Sequence, residues 1–324
     1  MTVSMMNNTG FPFEQMAALN IRPKKLVTDS RLIQAGDTFV AFQGEHSDGR
    51  LYIANAIAQG ANAVIYEAEN FVWQSDWTVP HLAVENLRDQ AGALANFVYE
   101  QPTEKLWMLG VTGTNGKTST SHWIAQAFND AAKKCALIGT LGNGFADALQ
   151  ATANTTPEAI RVHKLCADYL HDGAQAVAME VSSHALDQGR ISGVHFDVAM
   201  LTNLSRDHLD YHGDMARYAA SKRKLFDAVS LRYAVLNLDD AMGAAWAQDL
   251  SAQGVEVVAY GLSDGALQHA QKAGLRMVYG HLLEMNANGL QLIIHSSWGT
   301  AELRSQMVGR FNAENLLGVL AVIA

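Results

Sequence analysis

The sequence predicts an α/β protein of two domains. A small N-terminal α/β domain covers residues 1–86, and a central domain over 87–324 carries a mostly parallel sheet flanked by helices, with a small antiparallel ribbon. Three observations predict this. From Lys105 onward, apolar runs of strand length alternate with amphipathic runs of helix length. A glycine-rich stretch, GVTGTNGKTST from Gly110, falls between one such strand and one such helix. From Arg276 to Gly309 the period shortens to strict alternation, with Asn288-Gly289 as a hairpin turn.

Taken in order, KKLVTD and TFVAF read as strands, DGRLYIANAIAQGA as a helix and NAVIYE as a strand, a compact pattern with short connections. NLRDQAGALANFVYEQP is an amphipathic helix ended by Pro102; it can serve either domain, so the boundary lies between Asn86 and Glu104. KLWMLGVTG is then a buried strand, KTSTSHWIAQAFNDAAKK a helix and CALIGTLG a strand. The next helix, EAIRVHKLCADYLHDG, has Thr156 as its expected N-cap, Pro157 at its first position and Gly173 to close it. AQAVAMEVSS, FDVAMLTNL, YAVLNLDD and VEVVAYGL complete the strands, and helices between them imply a parallel sheet. The final FNAENLLGVLAVIA has helical spacing without a capping glycine, basic last turn or polar tail, so the expectation is a chain cut short.

Composition excludes several classes. A net charge of −9 argues against a nucleic-acid surface, and so mild an excess implies no basic partner. The N-terminus lacks a basic segment followed by an apolar one, and no window has the length of a membrane span, so the expected compartment is the cytoplasm. Cys135 and Cys166 are too few for a disulfide framework or structural zinc and read as core thiols.

The chemistry gathers at strand ends. GVTGTNGKTST sits where backbone N–H groups and the positive end of a helix converge on an anion. Gly113 and Gly116 let the chain turn, Lys117 can bridge β- and γ-phosphates, and the Thr118 hydroxyl can reach a magnesium ion. The common phosphate-loop pattern wants its first glycine at position 111, where this chain has Val111. In AMEVSSHALDQGR, Glu180 ends an apolar strand and is either a metal ligand or a solvated strand-end carboxylate. NLSRDHLDYHGD makes His208 a metal-ligand candidate; Asp207, Asp210 and His212 either surround such a metal or are loop surface. Lys222, Arg223 and Lys224 form a cation run whose bland reading is a solvated helix face.

The register of GTNGKT, with DSR, GDTFVAFQGEHSDGR, NTTP, MEVSSHALDQGR and LTNLSRDHLDYHGDMARYAASK in order along nearly the whole chain, resembles the Mur ligase family of peptidoglycan precursor synthesis. The resemblance implies that residues 113–119 (Gly113, Thr114, Asn115, Gly116, Lys117, Thr118 and Ser119) bind ATP, with Asn312 and Asn315 of FNAEN near the adenine. It implies magnesium on Thr118 and Glu180, a second magnesium on His208, and a Lys222 carbamylated by carbon dioxide, so that Lys117, Glu180, His208 and Lys222 are the catalytic set. Precursor contacts are implied for Thr28, Ser30, Glu45, His46 and Ser47 in the first domain, which is then UDP-binding. Glu45 and His46 depart from the His-Gln expected there. Further contacts are implied for Asn154, Thr155 and Thr156, and for Ser182, Gln188 and Arg190. Arg190 suits a carboxylate or phosphate through its planar fork.

The implied reaction joins a diamino acid, diaminopimelate ahead of lysine, to UDP-N-acetylmuramoyl-L-alanyl-D-glutamate through an acyl phosphate made with ATP. A monomer is expected. The family's C-terminal amino-acid-binding domain, with the Asp-Asn-Pro-Arg signature of diaminopimelate-adding members, is absent from these 324 residues. The expectation is therefore weak binding without turnover by this stretch alone. The D-alanyl-D-alanine-adding ligase and a non-catalytic nucleotide- or UDP-sugar-binding regulator are the alternatives. The joint presence of Lys117, Thr118, Glu180, His208 and Lys222 disfavours the second, since a binder without chemistry has little use for a second metal ligand set.

Overall fold

A computed structural model describes residues 10–44 and 47–324. The chain divides into two compact units. The first takes in the described residues up to Pro102 together with Glu158–Ala167 and Gly189–Val194. The second comprises Thr103–Pro157, Asp168–Gln188 and His195–Ala324.

The first unit is built on a parallel sheet of β1 (Leu26–Val27), β2 (Thr38–Ala41), β3 (Ala63–Glu67) and β4 (His81–Val84), in that order. Its helices are α1 (Phe13–Ala18), α2 (Ile53–Ala58) and α3 (Leu87–Val98). Both faces of the sheet are covered at its centre, so β2 and β3 read as unbroken buried runs rather than alternating ones. One face packs Val40, Ile65 and Leu82 against Leu87, Ala91 and Leu94 of α3, and the other packs Phe39 and Val64 against Ile53 and Ala56 of α2. The helix that sequence assigns to either domain thus contributes to this core. The DGRLYIANAIAQGA helix begins as a 3-10 turn, Gly49–Tyr52, because the Asp48 side chain caps it by accepting the Arg50 N–H. Strand β4 is not marked by the sequence: HLAV is only four residues long, with buried Leu82 and Val84 alternating with more exposed His81 and Ala83.

The second unit holds a ten-stranded sheet. Its strands are β5 (Trp107–Thr112), β6 (Cys135–Gly139), β7 (Gly142–Gly144), β8 (Ala176–Glu180), β9 (Val198–Leu201), β10 (Tyr233–Asn237), β11 (Glu256–Gly261), β12 (Arg276–Asn286), β13 (Gly289–Ser296) and β14 (Gly299–Ser305). The order is β14-β13-β12-β11-β10-β9-β5-β8-β6-β7. Pairing is parallel from β12 through β11, β10, β9, β5 and β8 to β6, and antiparallel in β12–β13–β14 and β6–β7. The expected ribbon is continuous with the main sheet through β12, but its turn falls at Ala287-Asn288, one residue before the Asn288-Gly289 expected, and Gly289 pairs with Asn286 at the start of β13. Strand β5 lies between β8 and β9, with its sequel β6 on one side and β9–β12 on the other. This is the reversal in strand order beside which open α/β sheets bind ligands, at the carboxyl ends of the strands.

The helices of this unit are α4 (Lys117–Asp130), α5 (Ala159–His171, whose first part belongs to the first unit), α6 (Ser183–Asp187), α7 (Leu209–His212), α8 (Met215–Arg223), α9 (Ala241–Ala252), α10 (Asp264–Ala273) and α11 (Arg310–Ile323). Side-chain caps fix several starts: Asp214, Asp240 and Ser263 accept from the first free N–H groups of α8, α9 and α10. Ile124 of α4 and Leu317 of α11 join Leu109, Val111 and Met200 in a core on one face of this sheet, each such side chain contributing about 1.5–3 kcal/mol on burial. Helix α5 begins at Ala159, later than the Thr156 cap predicted, because the Thr156 hydroxyl donates to the Glu180 carbonyl and accepts from the Ser182 N–H. Cys135 and Cys166 are free and buried, as expected, and burial pushes both thiols up to about 12. Among the described residues, no helix is long and apolar enough to cross a membrane.

Candidate functional site

The turn after β5 is shaped by two glycines in the left-handed half of backbone space, Gly113 at φ 146° and Gly116 at φ 87°. A Cβ on Gly113 would collide with the Thr202 hydroxyl, and one on Gly116 would press on the Asn315 amide. Substitution Gly113→Ala is expected to cost about 2 kcal/mol or more and to remove nucleotide binding, which thermal unfolding and calorimetry check together. The segment following β9 fastens the loop. The Thr202 hydroxyl donates to Asn115 O at 2.6 Å, while Asn203 accepts from the Asn115 N–H and donates to Asn115 O, both at 3.0 Å. Asn203 O accepts the Thr114 N–H at 2.9 Å. Thr202 and Asn203 are residues that sequence reasoning passed over; LTNL directly after an apolar strand was the available signal.

Lys117, at the first position of α4, donates from Nζ to Gly113 O at 2.8 Å and Thr114 O at 2.9 Å. Lys222 on α8 reaches the same Gly113 O at 2.9 Å. The cation run is therefore no solvated face: Lys222 is 1% exposed, Arg223 pairs with Asp227 and Asp249, and only Lys224 is half outside, on Asp187. Burial lowers the Lys117 pKa against the opposing charges of Glu180 and Asp207. Burial first, and the Lys117 charge second, bring Lys222 down to about 7.

Glu180 is 0% exposed at the end of β8, so it is not a solvated strand-end carboxylate. Its Oε2 accepts the Thr118 hydroxyl at 2.7 Å and the Thr140 hydroxyl at 3.1 Å, and its Oε1 accepts the Thr140 N–H at 2.8 Å. Gly139 permits this, since a Cβ there would strike the carboxylate. Thr140 is a second residue that sequence missed. The donor set fits magnesium: a hydroxyl and a carboxylate, both hard oxygens, meet at a helix N-terminus where phosphates would complete the shell. No group of three His, Cys, Asp or Glu side chains that could hold a metal alone occurs among the described residues.

His208 opens α7 in the left-handed conformation at φ 52°, with its Nε2 3.4 Å from Asp207 and its ring 4.9 Å from that of His184. Asn315 is buried against Gly116, while Asn312 donates to Val308 O at 2.9 Å. Ser119 is exposed in the first turn of α4, and Thr155 accepts from the Thr140 hydroxyl at 3.0 Å, which brings NTTP beside the Glu180 shell; Asn154 is exposed. Ser182 caps α6 by accepting the Ala185 N–H, and Gln188 ends it, donating to Tyr211.

In the first unit, Thr28, Ser30 and Ser47 line one cavity of about 460 Å³ with Gly44, Tyr52 and Glu158. Glu158, absent from the sequence prediction, accepts the Thr28 hydroxyl at 3.5 Å. Arg31 holds the Asp29 carboxyl below its usual range. Arg190 belongs to the Gly189–Val194 segment of this unit. Glu45 and His46 lie outside the described residues.

A lysine-bearing glycine loop at the strand-order reversal, with a threonine hydroxyl on a buried carboxylate beside it, defines a nucleotide-binding α/β protein of the phosphate-loop class. The Mur ligase middle domain matches residues 111–323, and the Mur ligase family catalytic domain matches 24–99. This chain belongs to the Mur ligase family. It is 46% identical over 306 residues to the UDP-N-acetylmuramoyl-L-alanyl-D-glutamate–2,6-diaminopimelate ligase of Chromobacterium violaceum, covering 94% of this chain and 60% of that one. To the ligase of the same name from Nitrosomonas europaea it is 45% identical, covering 94% and 58%. A solved structure of a ligase of that name superimposes with TM-score 0.76 at 32% identity, covering 93% of this chain and 59% of that one. The chain thus spans about 60% of the length of these relatives.

Proposed function

We propose that this chain carries the ATP and UDP-precursor sites of a cytoplasmic, monomeric ligase that adds meso-diaminopimelate to UDP-N-acetylmuramoyl-L-alanyl-D-glutamate. Residues 1–86 hold the UDP end of the precursor and 87–324 the nucleotide, the roles assigned from the sequence. The observation that carries the reading is the convergence of Lys117, Lys222, Thr118 and Glu180 on one glycine loop, in a chain whose relatives above bear that ligase name.

In this reading the γ-phosphoryl group passes from ATP to an oxygen of the D-glutamate carboxylate and ADP leaves. The amine of the diamino acid then attacks the acyl carbon, and the tetrahedral intermediate expels phosphate. Two anions must approach each other in the first step. Lys117 swings from the loop carbonyls to the β- and γ-phosphates and neutralises the charge that develops there. Two magnesium ions, one held by Thr118 and Glu180 and a second by His208, would supply further charge neutralisation between nucleotide and carboxylate. The family resemblance assigns Asn315 and Asn312 to the adenine end, and Ser182, Gln188, Arg190 and the NTTP residues to the precursor. Lys222 takes up carbon dioxide as a carbamate. No protein nucleophile is required.

Calorimetry with magnesium and a non-hydrolysable ATP analogue tests the pathway step. The dipeptide precursor is expected to bind at least about tenfold more tightly than the tripeptide precursor, a difference of ~1.4 kcal/mol. Preference for the tripeptide would replace the reading with the D-alanyl-D-alanine-adding step.

A further inference from the structure

We propose that His212 is a positioning residue for the metal site, holding the His208 turn and the Lys222 helix in register with Glu180 through Ser183. The proposal rests on the magnesium and ATP assignments above, and it concerns a residue that those assignments leave without a role.

His212 is 6% exposed, although NLSRDHLDYHGD reads as a loop dense in polar groups. Its Nε2 lies 3.0 Å from the hydroxyl of Ser183, itself 1% exposed. The carbonyl of Ser183 in turn accepts the Ser221 hydroxyl at 2.7 Å, and Ser221 precedes Lys222 on α8. Ser183 stands three residues after Glu180, across a turn clamped by the Thr156 hydroxyl between Glu180 O and Ser182 N. One serine thus ties together the chain segments that carry Glu180, His208 and Lys222.

The geometry of α7 explains why such a tie matters. The helix is four residues long, too short to hold itself by its own hydrogen bonds. His208 begins it and His212 ends it, with the His212 N–H donating to His208 O at 3.0 Å. The orientation of His208 therefore depends on where His212 is anchored. The His212 ring also packs 5.2 Å from that of Tyr218, whose hydroxyl lies 3.2 Å from Thr114 Oγ1 and whose face lies 4.6 Å from Lys222 Nζ. Phenylalanine would keep a planar ring there, somewhat larger than imidazole; what histidine adds is the polar link to Ser183. Groups that orient metal ligands through one hydrogen bond typically change metal affinity 10–100-fold when removed.

The test compares His212→Phe, Ser183→Ala and His212→Gln with the unaltered chain, reading the magnesium concentration at half-maximal enhancement of ATP-analogue binding. Affinity without magnesium and thermal midpoint are read alongside. The first two variants are expected to raise the magnesium midpoint about tenfold, with metal-free affinity unchanged, and His212→Gln, which keeps a polar atom near the Nε2 position, to restore it to within about twofold. Folded variants that keep the unaltered midpoint, or Phe and Gln variants that behave alike, overturn the proposal. If magnesium fails to enhance binding to the unaltered chain, the metal assignment falls and this proposal with it, an outcome distinct from failure at His212 alone.

Discussion

Lys117→Met is expected to lower affinity for a non-hydrolysable ATP analogue about 100-fold while leaving the chain folded. The two effects separate because of how the loop carbonyls are shared. Gly113 O accepts from both Lys117 and Lys222, so it keeps a donor when Lys117 is removed. Only Thr114 O loses its lysine, a cost of about 1 kcal/mol for one net hydrogen bond. In a unit of this size that moves the thermal midpoint by only about 2–4 °C. The phosphate end of the nucleotide, in contrast, loses a desolvated ammonium that methionine cannot replace. In a ligase that contains this chain the same change is expected to lower turnover by about 10³-fold, since the reaction proposed above brings two anions together. Unchanged analogue affinity in a folded Lys117→Met chain would remove the loop from the nucleotide site.

Legibility in the sequence followed distance along the chain. The glycine loop was readable because strand, turn and helix are contiguous and each obeys a local rule, even with Val111 where the common pattern has glycine. The central strands were readable because burial on both faces leaves continuous apolar runs. What joins the site was not. Thr118 and Glu180 meet across 62 positions, and Thr202 meets Asn115 across 87; no spacing rule connects such pairs. Local rules also misled. Thr156 before Pro157 is a good helix start, yet its hydroxyl is engaged by the end of β8 and the helix begins at Ala159. Three adjacent cations on a helix look solvated, but a helix turns 100° per residue, so one of three can face inward while its neighbours pair at the surface. Lys222 is that one, and its burial has consequences of its own.

Lys222→Met is expected to raise stability and to lower turnover, opposite signs from one substitution. The sign follows from linkage. The folded chain holds Lys222 at about 7 against an ordinary 10.5, so between these values the unfolded chain binds more protons and stability rises with pH. Below pH 7 the penalty is fully present, on the order of a few kcal/mol. Methionine removes it, so the stability difference between variant and unaltered chain is expected to be largest near pH 6 and to shrink toward pH 9. The pair also cancels the opposing trend from Cys135 and Cys166, whose raised values erode stability above about pH 9 in both proteins. A pH-independent difference would show that Lys222 keeps an ordinary pKa. The functional side uses the same property. A lysine near 7 is about half neutral at neutral pH, and only the neutral amine can attack carbon dioxide, forming an N–C bond and releasing a proton to give a carbamate. That product exchanges a buried cation beside Lys117 for an anion, which relieves the repulsion that helped to lower the pKa. Carbon-13 bicarbonate is therefore expected to give a carbamate resonance in the unaltered chain and none in Lys222→Met, and removal of carbon dioxide to slow the whole ligase as the substitution does. An unaltered chain with no carbamate resonance, whose ligase keeps its rate without carbon dioxide, would leave Lys222 as a cation at the phosphate loop and end the carbamate assignment.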